Sequence, residues 1–81
     1  MRIQILSFGI AKDIIGGSTT EIEIPDDQNT VGHLKSKIID QYPRFEDLRS
    51  LKIAVNNEYA QDEQSISAED EIVIIPPVSG G

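Results

Sequence analysis

Eighty-one residues, a formal net charge of −7 and no cysteine confine this chain to one small domain. They exclude disulfides, cysteine metal centres and a thiol nucleophile of its own. The negative balance argues against nucleic acid and anionic membranes as partners, and the longest apolar runs fall far short of a membrane span. A domain of this size buries only about 60–65% of its unfolded surface, so the core must be used efficiently. Fourteen isoleucines and only four aromatics (Phe8, Tyr42, Phe45, Tyr59) predict an aliphatic, strand-rich core with no platform for stacking bases. A strand pattern begins at once, with no leader-like segment, which predicts a soluble, cytoplasmic protein.

Arg2-Ile3-Gln4-Ile5-Leu6-Ser7-Phe8 alternates as a strand with Ile3 and Ile5 inward. Gly9 opens a short helix over 10–15, where Ile10 and Ile14 share a face at i, i+4. Gly16-Gly17-Ser18 ends it, because glycine suits a left-handed cap. Thr20-Glu21-Ile22-Glu23-Ile24 alternates Ile in and Glu out until Pro25 stops it. Thr30 is placed to cap the main helix, 31 to about 42. Val31, Leu34, Ile38 and Tyr42 form the buried stripe of that helix, widened by Ile39, and Pro43 ends it. Residues 45–50 suit one further turn. Lys52 to Asn56 reads as a strand, and Asn56-Asn57 as a tight turn, since Asn tolerates positive φ. Glu58-Tyr59-Ala60 returns briefly. The polar stretch 61–70 holds Ile66 as a single apolar peg. Glu71 to Ile75 is the last strand, so continuously apolar that it predicts a central strand buried on both faces. One long helix can cover only one sheet face, so the element order predicts an α+β two-layer fold.

The charge is unevenly placed. Residues 1–52 carry all seven basic and eight acidic side chains, whereas residues 53–81 carry six acidic and no basic ones. Such a segment is a solubilising surface or a face that steers basic partners toward the C-terminal end. Familiar catalytic patterns are missing. Gly16-Gly17 is a helix terminator rather than a phosphate loop, and His33 stands in the first turn of the main helix without a partner motif. Asp26-Asp27 and Glu69-Asp70-Glu71 lack calcium-loop spacing, so no metal site is expected. No serine has a base placed beside it by the pattern.

The best chemical handle is the ending Pro76-Pro77-Val78-Ser79-Gly80-Gly81. A strand feeds a stiff diproline, which feeds a narrow tip with a carboxylate. Two glycines pass a channel that would stop a side chain. From Val78 to Gly81 an extended chain reaches about 13–14 Å, enough to enter a partner's pocket. The prolines remove part of the ordering cost. The chain is thus expected to divide into a domain over 1–77 and a flexible tail over 78–81.

From Asp70 to Gly81 the sequence resembles the signature of the molybdopterin synthase small subunit. Val55-Asn56-Asn57-Glu58-Tyr59 and the opening Phe8-Gly9-Ile10-Ala11-Lys12-Asp13-Ile14-Ile15-Gly16 are also similar to that family, although Gly9 stands where the family usually has Ala. The resemblance spans essentially the whole chain. It implies a ubiquitin-like β-grasp fold, with a mixed sheet of four to five strands covered on one face by one main helix. It implies that an activating enzyme uses ATP to adenylate Gly81, that sulfur then makes it a thiocarboxylate, and that the sulfur passes to cyclic pyranopterin monophosphate. Gly80 gives clearance. Phe8, Ile75, Pro76, Pro77, Val78 and Ser79 meet the partner, with ordinary core packing as the alternative for Phe8 and Ile75. The implied partners are the synthase large subunit, in a heterotetramer, and the activating enzyme. The chain itself binds no cofactor and turns over nothing alone. Three alternatives stay open: a sulfur carrier for thiamin or tRNA thiolation, a protein modifier joined through Gly81, and an interaction module with a passive tail.

Overall fold

In the computed structural model, which describes residues 1–47 and 51–75, five strands form one mixed sheet in the order β2-β1-β5-β3-β4. The strands are β1 (Arg2–Ser7), β2 (Thr19–Glu23), β3 (Lys52–Val55), β4 (Glu58–Tyr59) and β5 (Ile72–Ile75). Helix α1 (Gly9–Ile15) links β1 to β2; helix α2 (Val31–Gln41) and a 3-10 turn (Pro43–Asp47) link β2 to β3. β5 runs parallel to β1, while the β1–β2, β3–β5 and β3–β4 pairs are antiparallel. The predicted strand order along the chain and the single main helix are therefore as expected for a β-grasp.

Alternation along the strands sorts the side chains. Ile3, Ile5, Ile22, Ile53, Val55, Ile72 and Ile74 turn to one face, where Val31, Leu34 and Ile38 of α2 meet them in one core with Phe45 and Ile66. At roughly 25 cal/mol per Å² of apolar area removed from water, each such side chain is worth about 1.5–3 kcal/mol against exposure. Tyr42 packs its ring edge-on to Phe45 with centroids 6.3 Å apart, which closes the helix end over the 3-10 turn. That turn starts at Pro43, two residues before the sequence predicts it, and residues 48–50 of the predicted turn lie outside the described residues.

The start of α2 is set by local chemistry. The Thr30 hydroxyl accepts the His33 N–H at 3.3 Å, as an N-cap does. The first-turn N–H groups of Val31 and Gly32 donate to the Gln64 and Asp62 carbonyls, both at 2.9 Å. The polar 61–66 stretch thus closes the helix start, and Ile66 plugs into the core beneath it with only 2% of its surface exposed.

One expectation needs correction. β5 is central, but only Ile72 and Ile74 are buried; Val73 and Ile75 are half-exposed. Both helices cover the same sheet face, so the other face stays open and an apolar run does not mean two covered faces. In α1, Ile10 does not join Ile14 in the core. Ala11 is the buried residue, Ile14 and Ile15 pack partly, and Ile10 is 44% exposed. Gly9 begins this helix at φ +57°, a left-handed conformation that an alanine would adopt only at a cost. The helix ends at Gly16, φ +90°, whose N–H donates to the Lys12 carbonyl at 2.8 Å, the predicted glycine cap.

Ser7 is fully buried at the end of β1. Its N–H donates to the Ser18 carbonyl at 2.8 Å, but among the described residues its Oγ has no hydrogen-bond partner. A buried hydroxyl without a partner costs free energy that its removal recovers. Ser7→Ala is expected to raise stability by about 1 kcal/mol, or roughly 4–8 °C in Tm for a domain of this size. A thermal melt of the pair measures it.

Candidate functional site

The open sheet face is the most distinctive surface of the molecule. Register places Leu6 opposite Val73, Val73 opposite Ala54, and Ala54 opposite Tyr59, so an apolar row crosses four strands. The next row holds Ile75 opposite Lys52. Phe8 follows Ser7, whose partner is Ile74, and so comes level with Ile75. Phe8 and Tyr59 are 59% and 68% exposed. The apolar side chains of these two rows, with Asn57 and Glu71, line a concavity of about 440 Å³. Large apolar side chains grouped in the open mark an interaction surface more often than a folding requirement.

Phe8 is thereby taken out of the core-packing alternative, and Ile75 stands at the end of β5 on the open face. Pro76, Pro77, Val78, Ser79, Gly80 and Gly81 lie outside the described residues, as does the predicted boundary at 77–78. The chain enters that stretch from Ile75, in the middle strand of the sheet and beside the apolar row.

Leu6, Ala54, Tyr59 and Val73 escape a reading that assigns apolar strand residues to the core. The signal was present on β1, where Leu6 and Phe8 occupy outward positions that Arg2 and Gln4 fill with polar groups. Lys52 places its ammonium 5.4 Å from the centre of the Tyr59 ring, which holds the ring over the face.

The acidic side chains divide into engaged and open ones. Asp62 pairs with Lys35 at 2.9 Å. Asp70 is committed to hydrogen bonds: its Oδ1 accepts from Asn56 Nδ2 at 3.0 Å and its Oδ2 from the Ser67 N–H at 2.8 Å. Glu58 and Glu71 are exposed, and Glu71 borders the apolar concavity, so these two can attract a basic rim. The bonds from Asn56 and then from Ser67 hold the Asp70 carboxyl below its ordinary pKa. A depressed folded value means that Asp70 stabilises the fold above the unfolded value of about 3.9 and loses that contribution as pH falls through the lower folded value. The stability advantage of the wild type over Asp70→Asn is expected to be full at neutral pH and to shrink below about pH 4. Urea midpoints across that range measure the difference.

His33 Nδ1 lies 2.8 Å from the Thr30 hydroxyl on an exposed helix start. Among the described residues no three His, Asp or Glu side chains gather as metal ligands, and no helix is long and apolar enough to cross a membrane.

A scan against family models matches residues 5–81 to the ThiS family. Among curated proteins, the molybdopterin synthase sulfur carrier subunit of Dictyostelium discoideum is 39% identical over 83 aligned positions, covering 99% of this chain and 96% of the relative. Among solved structures, SAMP1 from Haloferax volcanii superposes with a TM-score of 0.81 at 23% identity over the full length of both chains. A complex of subunits 1 and 2 of the molybdopterin-converting factor from Helicobacter pylori contains a chain that matches with a TM-score of 0.65 at 23% identity, again over both full lengths. The two structural likenesses establish the fold, and the sequence relationship establishes descent: the chain belongs to the ThiS family, with a molybdopterin synthase sulfur carrier subunit among its full-length relatives.

Proposed function

We propose that this chain is the sulfur-carrier small subunit of a molybdopterin synthase, and that Gly81 is the carrying end. The supporting observation is the 39% identity to a carrier subunit of that enzyme across nearly the whole of both chains. The geometry is consistent with it, because the central strand ends at Ile75 beside an exposed apolar face. A carboxylate is a poor acyl donor, since oxide is a poor leaving group. In the cycle, the Gly81 carboxylate attacks the α-phosphorus of ATP on an activating enzyme and pyrophosphate leaves. A sulfide-level donor then displaces AMP, which leaves a thiocarboxylate. That sulfur forms a bond to a carbon of cyclic pyranopterin monophosphate as the carbon–oxygen bond there breaks and its oxygen leaves with phosphate or as water. Water then cleaves the acyl–sulfur bond and restores the carboxylate, and two such transfers complete the dithiolene.

Labour is divided between the subunits. This chain supplies the soft sulfur nucleophile without a cysteine, and Gly80 lets the tip pass a narrow channel. Phe8, Ile75 and the 76–79 segment dock the large subunit, whose own side chains supply the acid–base chemistry. Alone, the chain turns over nothing and holds no cofactor; ATP is bound by the activating enzyme. A heterotetramer of two carriers and two large subunits in the cytoplasm is the assembly that this reading expects.

Complementation tests the pathway. The gene is expected to restore molybdoenzyme activity to a strain that lacks its molybdopterin synthase small subunit. Rescue of a thiamin auxotroph, with none of the molybdoenzyme strain, would contradict the proposal in favour of the thiamin carriers of the same fold.

A further inference from the structure

Ten residues before Gly80, the chain is pinned to a different part of the fold. Asn56 sits at φ +53° in the β3–β4 turn. Its carboxamide Nδ2 donates to Asp70 Oδ1 at 3.0 Å, while its Oδ1 accepts the Glu71 N–H at 2.9 Å. Its backbone N–H donates to the Glu71 carbonyl at 2.8 Å. Asp70 in turn closes its own turn, accepting the Ser67 N–H at 2.8 Å and donating its backbone N–H to the Ser67 carbonyl at 3.2 Å. Three bonds from one asparagine therefore fix the two residues that immediately precede β5.

Fixing those two residues constrains the strand after them. β5 has only four residues and lies between β1 and β3 as neighbours. A slip of one residue would turn Ile72 and Ile74 out of the core and move the exit point at Ile75 by about 3.3 Å. The core resists the slip from one side of the strand, and the clamp fixes its beginning.

We propose that Asn56 and Asp70 are positioning residues for carrier loading: their clamp sets the register of β5 and so the point from which the tail reaches a partner's active site. This rests on the carrier reading. Leu6, Phe8, Ala54 and Tyr59 belong to β1, its end, β3 and β4, so a loosened clamp leaves most of the docking face in place, shifts Ile75 and the segment after it, and misplaces the carboxylate. Misplacement by about 1 Å can cost up to two orders of magnitude in rate, which predicts an effect on kcat rather than on KM.

The pair allows a clean exchange. Asn56→Asp keeps a residue that tolerates positive φ but sets two carboxylates face to face. The exchanged pair N56D/D70N keeps a donor and an acceptor for every bond. The carboxylate at position 56 accepts from the Glu71 N–H and from the new amide, whose oxygen accepts from the Ser67 N–H. The test uses ATP–pyrophosphate exchange with the adenylating enzyme that loads molybdopterin synthase carriers, at a temperature where circular dichroism shows each variant folded. N56D is expected to lose about tenfold in kcat with KM within about threefold, and N56D/D70N to recover to within about twofold. Amide hydrogen exchange at Val73 and Ile75 is expected to quicken in N56D and return in the exchanged pair. Wild-type kcat in folded N56D, or no recovery in the exchanged pair, overturns the clamp. Inert wild type overturns the carrier reading instead, and unchanged amide protection in N56D then overturns the clamp as well.

Discussion

Removal of Gly81 is expected to abolish rescue of a strain that lacks its molybdopterin synthase small subunit, while the fold and the affinity for the large subunit stay as they are. The chain has no cysteine, and in this reading the sulfur is carried on the Gly81 carboxyl carbon. Shortening the tail by one residue leaves a carboxylate on Gly80, but it draws that carboxylate back by about 3.3–3.6 Å. In-line attack needs reacting atoms about 3–3.5 Å apart, and a shortfall of one residue exceeds any plausible adjustment. Among the described residues the last member of the core is Ile74, well before the deletion in sequence. A binding titration with the large subunit should give a Kd within about threefold of the wild type, because interface residues outside the energetic centre contribute little. Retained rescue without Gly81 would contradict its assignment as the carrying residue.

Phe8→Ala is expected to weaken binding to the large subunit by about thirtyfold or more, equivalent to about 2 kcal/mol, the scale of an aromatic anchor at the centre of an interface. The same substitution should shift folding stability by no more than about 0.5 kcal/mol, because exposed side chains away from special features cost little. The contrast separates docking from packing. A core aromatic such as Phe45, with 1% of its surface exposed, would instead cost about 3–5 kcal/mol of stability on truncation. Isothermal titration of the large subunit, paired with urea denaturation, reads both quantities. A large stability loss with unchanged affinity would return Phe8 to an ordinary structural role.

Much of the fold was legible because its elements are local. Thr30, Pro43, Gly16 and the Asn56-Asn57 pair each encode a boundary through their own backbone or capping chemistry, and the structure uses each of them there. The stripe of Val31, Leu34 and Ile38 fixed which side of α2 meets the sheet. The open face was not legible, for a physical reason. Val73 and Ile75 present the same apolar surface to a packed helix and to a future partner, and hydropathy does not distinguish the two. Phe8 shows the same ambiguity, which its exposure and its level position beside Ile75 resolve. The Asn56–Asp70 clamp was hidden for another reason: its partners are 14 residues apart, and each had a sufficient local explanation as turn chemistry. The acidic excess after residue 52 read as either a solubilising surface or a steering face, yet Asp62 and Asp70 are engaged within the fold.

The central claim is that Gly81 carries sulfur, and intact-mass spectrometry tests it most directly. Full-length protein incubated with activating enzyme, ATP and a sulfur donor is expected to gain the mass of one oxygen-to-sulfur exchange, located by fragmentation on Gly81 and absent when ATP is omitted. An unchanged mass, under conditions in which a known carrier is converted, would contradict the account.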